Sequence, residues 1–177
     1  AFFGYLSGIF RPVMHIYALM FVAESGTLYI YYYGWDKMRE GVMKWLHLSM
    51  SVVLNVIGTV LMFLANSWIV FMMSPAGVDE QGRYLGNIWH VVHTALWNPL
   101  NVHRILGNMA FGGGVVAAYA AYRFLSSKTD EERAHYDWMG YIAMSLGVAF
   151  LIPLPFAGYW LMREVYAYRQ QMGITLM

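Results

Sequence analysis

Apolar residues run almost unbroken through four stretches of the chain, residues 12–34, 42–73, 102–125 and 136–161, and the polar positions collect between them. Each stretch supplies the roughly 20 apolar residues that carry a helix across a bilayer, so four transmembrane helices are predicted. The second is longer than the hydrocarbon requires and should tilt or project beyond it. Between the second and third lies SPAGVDEQGRYLGNIWHVVHTALWNP, residues 74–99. Its Ser-Pro, Ala-Gly and Asn-Pro pairs mark a loop, and Leu85–Trp97 within it reads as a short amphipathic helix at the membrane surface. Pro153 and Pro155 remove two backbone donors from the fourth stretch and should kink or unwind it. The pattern therefore predicts an all-α integral membrane bundle, four transmembrane helices plus a short interfacial helix. Residues 1–177 form one transmembrane domain, expected to be part of a larger bundle. The chain opens at Ala1 with no initiator Met or signal pattern and closes on MGITLM, as a piece of a longer polypeptide would.

Composition narrows the class. The chain is 59% hydrophobic and only 12% charged, with a mean hydropathy of +0.46. Soluble domains carry about 25% charged residues, so a soluble fold is excluded. A net charge of +1 leaves no basic stripe for nucleic acid. The absence of cysteine excludes disulfides, iron–sulfur clusters and covalent heme attachment within this chain. Lys37, Arg39 and Lys44 follow the first span, and Arg123, Lys128 and Arg133 follow the third. Such short basic loops face the cytoplasm, which puts residues 74–99 and both ends of the chain on the outer side.

Within this frame the polar residues inside the spans become the candidates for chemistry. Glu24 lies in FVAESGTLYIYYYGWDK, an acid in the middle of an apolar run. An ionised carboxylate in hydrocarbon costs several kcal/mol, so it should face a cavity, a partner or a cofactor. Four of the six histidines, His15, His90, His93 and His103, fall at the outer level. Neutral imidazole is a common metal ligand and a usual axial ligand of heme iron. His103 heads a stripe of Gly107, Ala110 and Gly114, a groove that could admit a flat macrocycle or simply pack another helix. His90 and His93 form an H-x-x-H pair, which offers two ligands or serves as an interfacial anchor. His15 and Glu24 are nine residues apart, about 900° of helix, so they should point in opposite directions. Ser49, Ser51, Asn55, Thr59 and Asn66 in the second span could pass protons or bond between helices.

Several of these residues fall into an order that resembles subunit I of the cytochrome bd quinol oxidases: ESGTLYIYYYGWDK (24–37), LANSW (64–68), Pro75, then LWNP (96–99) before a glycine-rich helix. The likeness extends over about residues 14–172, corresponding to that family's third to sixth helices and the start of its quinol-binding loop. The resemblance implies that Glu24 takes part in proton delivery beside a heme region. The family's second Glu, eight residues earlier, is here Ile16, next to His15. Its low-spin heme histidine falls on Gly107 by ungapped count, with His103 one turn before on the same face.

The resemblance leads to the expectation of a membrane subunit of a respiratory complex, engaged in quinol oxidation and electron transfer through heme b, in a bacterial-type inner membrane. Partners would be lipid and other subunits, heme-bearing ones included. His103 and His15 are the candidate iron ligands, with Gly107 and Gly114 beside the macrocycle and His90 and His93 as weaker metal candidates. Arg163, Glu164 and Gln170, in GYWLMREVYAYRQQMG (158–173), are candidates for holding a quinol head group. The competing expectations are a heme-free structural or proton-conducting subunit, and a transporter bundle with Pro153 and Pro155 at its broken helix.

Overall fold

The structure, a computed structural model, describes residues 2–168. It contains α1 (Phe2–Ile9), α2 (Arg11–Tyr33), α3 (Gly41–Met73), α4 (Ile88–Val92), α5 (Trp97–Ser126), α6 (Asp130–Leu151) and α7 (Leu154–Tyr168), with no strand among the described residues. Among the described residues four helical stretches are long and apolar enough to cross a membrane: α2, α3, α5, and α6 together with α7. No more than 11% of the most apolar window of any of them is buried. Their outward sides, with Leu19, Phe21, Val22, Val52, Val56, Phe111 and Phe156 exposed, are built for hydrocarbon.

The chain divides into two compact units, Ala1–Trp97 and Asn98–Met177. In the first, α2 and α3 lie antiparallel. Phe10 meets Phe71, Tyr17 meets Trp68, Glu24 meets Gly58 and Tyr31 meets His47, so partner numbers fall as the α2 number rises. On α2 the covered positions include Val13, Tyr17, Met20, Glu24, Thr27 and Tyr31; on α3 they include His47, Met50, Leu54, Ile57, Leu61, Leu64, Trp68 and Phe71. Alternating steps of three and four keep one stripe of each helix on the other, as in coiled coils. A core of Leu6, Ile9, Phe10, Val13, Phe71 and Val91 closes one end, where the Phe10 and Phe71 rings stand edge to face at 5.3 Å. Pro12 sits in the first turn of α2, where its missing donor costs little.

In the second unit the helices touch through small residues. A Cβ placed on Gly113 of α5 would lie 2.7 Å from the Ala143 carbonyl oxygen and 2.8 Å from Gly147 Cα. Here backbone meets backbone. Gly140 faces Ala120 one heptad along, and Arg123 lies over the Tyr136 ring at 5.0 Å. The start of α6 is capped by its own side chains: the Thr129 hydroxyl accepts from the Glu132 N–H at 3.2 Å, while the N–H of Lys128, one residue before the cap, donates to Glu132 Oε2 at 3.3 Å. Asp130, Glu131 and Glu132 favour the positive end of the helix dipole.

Two boundaries differ from the sequence expectation. The helix expected over Leu85–Trp97 is α4 alone, five residues started by Asn87, whose side chain accepts from the Trp89 N–H at 3.0 Å. The Asn-Pro pair, read as loop, lies inside the first turn of α5, where a proline needs no donor. The break at Pro153 is present: α6 ends at Leu151, and the ladder resumes with the Ala157 N–H donating to the Pro153 carbonyl at 3.1 Å.

The Gly113 crossing yields a paired prediction. Gly113→Leu forces α5 and α6 apart and costs about 1–3 kcal/mol, the usual range for overpacking. Gly114→Ala meets open space and is neutral or stabilising by roughly 0.5–1 kcal/mol. Thermal unfolding of the two variants in detergent measures both.

Candidate functional site

Glu24 lies near the middle of α2 on its covered stripe and is half-buried. Its carboxylate oxygen Oε1 rests over Gly58 of α3, 3.0 Å from where a Cβ on that residue would stand. Among the described residues it makes no hydrogen bond or ion pair. Thr27, one turn on, donates its hydroxyl to the Ala23 carbonyl at 2.8 Å, so it is spent within its own helix. Leu28, four residues on from Glu24, is exposed, and Thr27 takes the covered position. The reason is the three-four alternation, which selects residue 27 rather than 28 after 24.

Two turns from Glu24, Tyr31 stacks on His47 with ring centres 4.2 Å apart and planes inclined at 17°. Trp35 closes on the same imidazole edge-on at 5.0 Å. Both ring nitrogens of His47 are buried and unbonded. Nothing in the sequence marks His47 beyond its place near a helix end. Its partnership depends on the antiparallel register of α2 and α3 across the short turn at residues 34–40.

The polar residues of α3 are mostly satisfied by their own helix. Ser49, Ser51, Asn55 and Thr59 donate to the carbonyls of Leu46, Leu48, Ser51 and Asn55 at 2.7–2.8 Å. Asn66 and Ser67 are fully buried.

The histidines stand differently. His15 is exposed on the side of α2 away from Glu24, and its Nδ1 lies 2.6 Å from the Arg11 carbonyl oxygen. A carbonyl only accepts, so Nδ1 carries the proton and Nε2 of the neutral ring presents a bare lone pair, the form an iron ligand requires. His103 is half-buried in the second unit, with Nε2 3.5 Å from where a Cβ on Gly158 of α7 would lie. Gly107 faces Leu154 at 3.9 Å. The outer part of the expected groove is therefore covered by α7, while Gly114, further along α5, meets nothing within 4 Å. Leu154 and Gly158 of α7 thus lie against Gly107 and His103, whereas the His15 imidazole is exposed with Nδ1 bonded to its own helix.

The remaining candidates are scattered. His90 and His93 are exposed, and His93 lies between Trp89 at 4.9 Å and Trp97 at 4.3 Å. Among the described residues no group of three or more His, Asp or Glu side chains converges as a metal ion would need. Arg163 pairs with Glu164 at 3.2 Å on α7, and Gln170 lies outside the described residues.

The helices and their exposed apolar sides define a multi-pass α-helical membrane protein, with the Glu24 carboxylate in a helix seam. A family model described as cytochrome bd terminal oxidase subunit I matches residues 1–175, and the chain belongs to that family. It is thus a membrane subunit of the respiratory oxidase type, in a family that binds hemes. Comparison with the curated proteins and with the solved structures gives no match.

The His47 stack is open to a direct check. His47→Phe keeps a ring between Tyr31 and Trp35 and leaves stability close to wild type. His47→Ala removes the ring and lowers stability by about 0.5–1.5 kcal/mol, the scale of aromatic pairing. Thermal unfolding distinguishes them.

Proposed function

We propose that this chain is the part of a respiratory quinol-oxidising complex that handles protons beside a heme-bearing region, in a bacterial-type inner membrane. The observation that carries the reading is Glu24: a carboxylate held half-buried at mid-span, with no partner among the described residues, in a family of oxidase subunits. An acid so placed is free to bind and release a proton with each turnover, because no cation holds it in one state.

His15 is the first candidate to hold heme b, through Nε2, with Nδ1 oriented by the Arg11 carbonyl. His103 is the second, and would require α7 to move from Gly158. Bound heme would supply one-electron transfer. The chain's own contribution is to orient the imidazole and to keep Glu24 on the opposite side of α2. Arg163 and Glu164 are candidate contacts for a quinol head group, reached once their mutual pair opens. Other subunits and the rest of the bundle complete the site. The alternative is a heme-free structural or proton-conducting subunit, in which Glu24 keeps its role and the histidines have none.

The purified complex decides between them. Its reduced-minus-oxidised visible spectrum should contain a b-type heme band that His15→Ala removes or shifts and His103→Ala leaves in place. A wild-type complex with no heme band assignable to this subunit sinks the heme reading. Glu24→Gln should slow quinol-linked turnover by about 100-fold or more, the usual scale for a positioned acid or base. Turnover and proton release equal to wild type would overturn the proton role.

A further inference from the structure

We infer that Gly58 is a positioning residue for Glu24, the notch in α3 that fixes where the carboxylate rests. The inference rests on the reading of Glu24 as the proton-handling group.

Glycine is, after proline, the least favourable residue inside a helix, so a glycine midway along α3 calls for a local reason. Gly113 has one: another helix backbone lies within 3 Å of its would-be Cβ. Gly58 has a different one. Apart from the backbone of α3 and the adjoining residues, Glu24 Oε1 is the sole atom within 4 Å of the position its Cβ would occupy. No helix backbone presses on it. Its backbone angle gives no reason either, since it is not among the glycines of positive φ. What the missing side chain makes room for is the carboxylate.

A methyl group 3.0 Å from a carboxylate oxygen lies inside ordinary van der Waals contact. Because the oxygen ends a flexible side chain, it gives way by a few tenths of an ångström and the helices stay as they are. A longer side chain fills the notch and expels the carboxylate from the seam. Gly58 thereby sets the position of the acid without touching a proton itself, and its substitution should change the acid's surroundings more than the fold's stability.

The test uses the intact complex. In the redox-difference infrared spectrum, the protonated-carboxyl band abolished by Glu24→Gln should move in Gly58→Ala and disappear in Gly58→Leu. Turnover of Gly58→Leu should fall into the range of Glu24→Gln, with the visible spectrum unchanged. A thermal cycle reads the same contact without any redox signal: Gly58→Ala should raise the unfolding temperature more in a Glu24→Ala background than in wild type, because the truncated side chain leaves the new methyl in open space. Equal shifts in both backgrounds, or a Gly58→Leu variant with wild-type band and turnover, overturn the inference. If Glu24→Gln leaves turnover unchanged while the thermal cycle still couples the two residues, the proton role fails and the positioning role stands.

Discussion

Hydrocarbon offers no hydrogen bonds, so a polar group that enters it must be satisfied by its own helix or by whatever meets it across a seam. Several hydroxyls and amides of α2 and α3 take the first course. Thr27, Ser49, Ser51, Asn55 and Thr59 each donate to a carbonyl three or four residues back. A carboxylate cannot, because a helix interior has no spare donor to give it. Glu24 is therefore confined to the seam, and the register of α2 on α3 follows that confinement: the three-four stripe that covers Tyr17 and Tyr31 also covers Glu24.

The seams are made in two ways, and the difference has a physical cause. Between helices in lipid there is no hydrophobic gain, so closeness of contact has to supply the attraction. In the second unit closeness comes from the removal of side chains, and Gly113 brings α5 onto the backbone of α6. In the first unit it comes from rings at both ends, Phe10 with Phe71 and Tyr31 with His47. The Glu24 carboxylate lies between these two ring contacts, over Gly58. An acid in the Gly113 seam would find no volume at all.

Much of this was open to a reading of residues in order. Hydropathy runs located the four spans because their signal is summed over about 20 positions, and Pro153 announced its break because one missing donor acts locally. Glu24 stood out for the same reason, one charge against an apolar background. What depends on register stayed hidden. The covered neighbour is Thr27 and not Leu28, since a helix stripe drifts with the three-four alternation. Gly107 and Gly114 lie on one stripe of α5, yet Leu154 of α7 meets Gly107 and open space surrounds Gly114. His47 and Gly58 carry no mark in their own segments, and each acquires a role only from the helix opposite.

His103 and His15 show how far residue type falls short of chemistry. His103 and His15 are equal candidates by composition. His103 is seated on Gly158, and its Nε2 points at a packed helix. His15 donates Nδ1–H to a carbonyl of its own first turn, which fixes the tautomer and leaves Nε2 bare at an exposed surface. A ligand there and an acid in the seam occupy opposite faces of α2, as nine residues of helix require. With heme held at His15, as proposed, coupling between electron and proton would have to cross the body of this one helix. It would act through the field and packing of α2 and not through direct contact of the two groups.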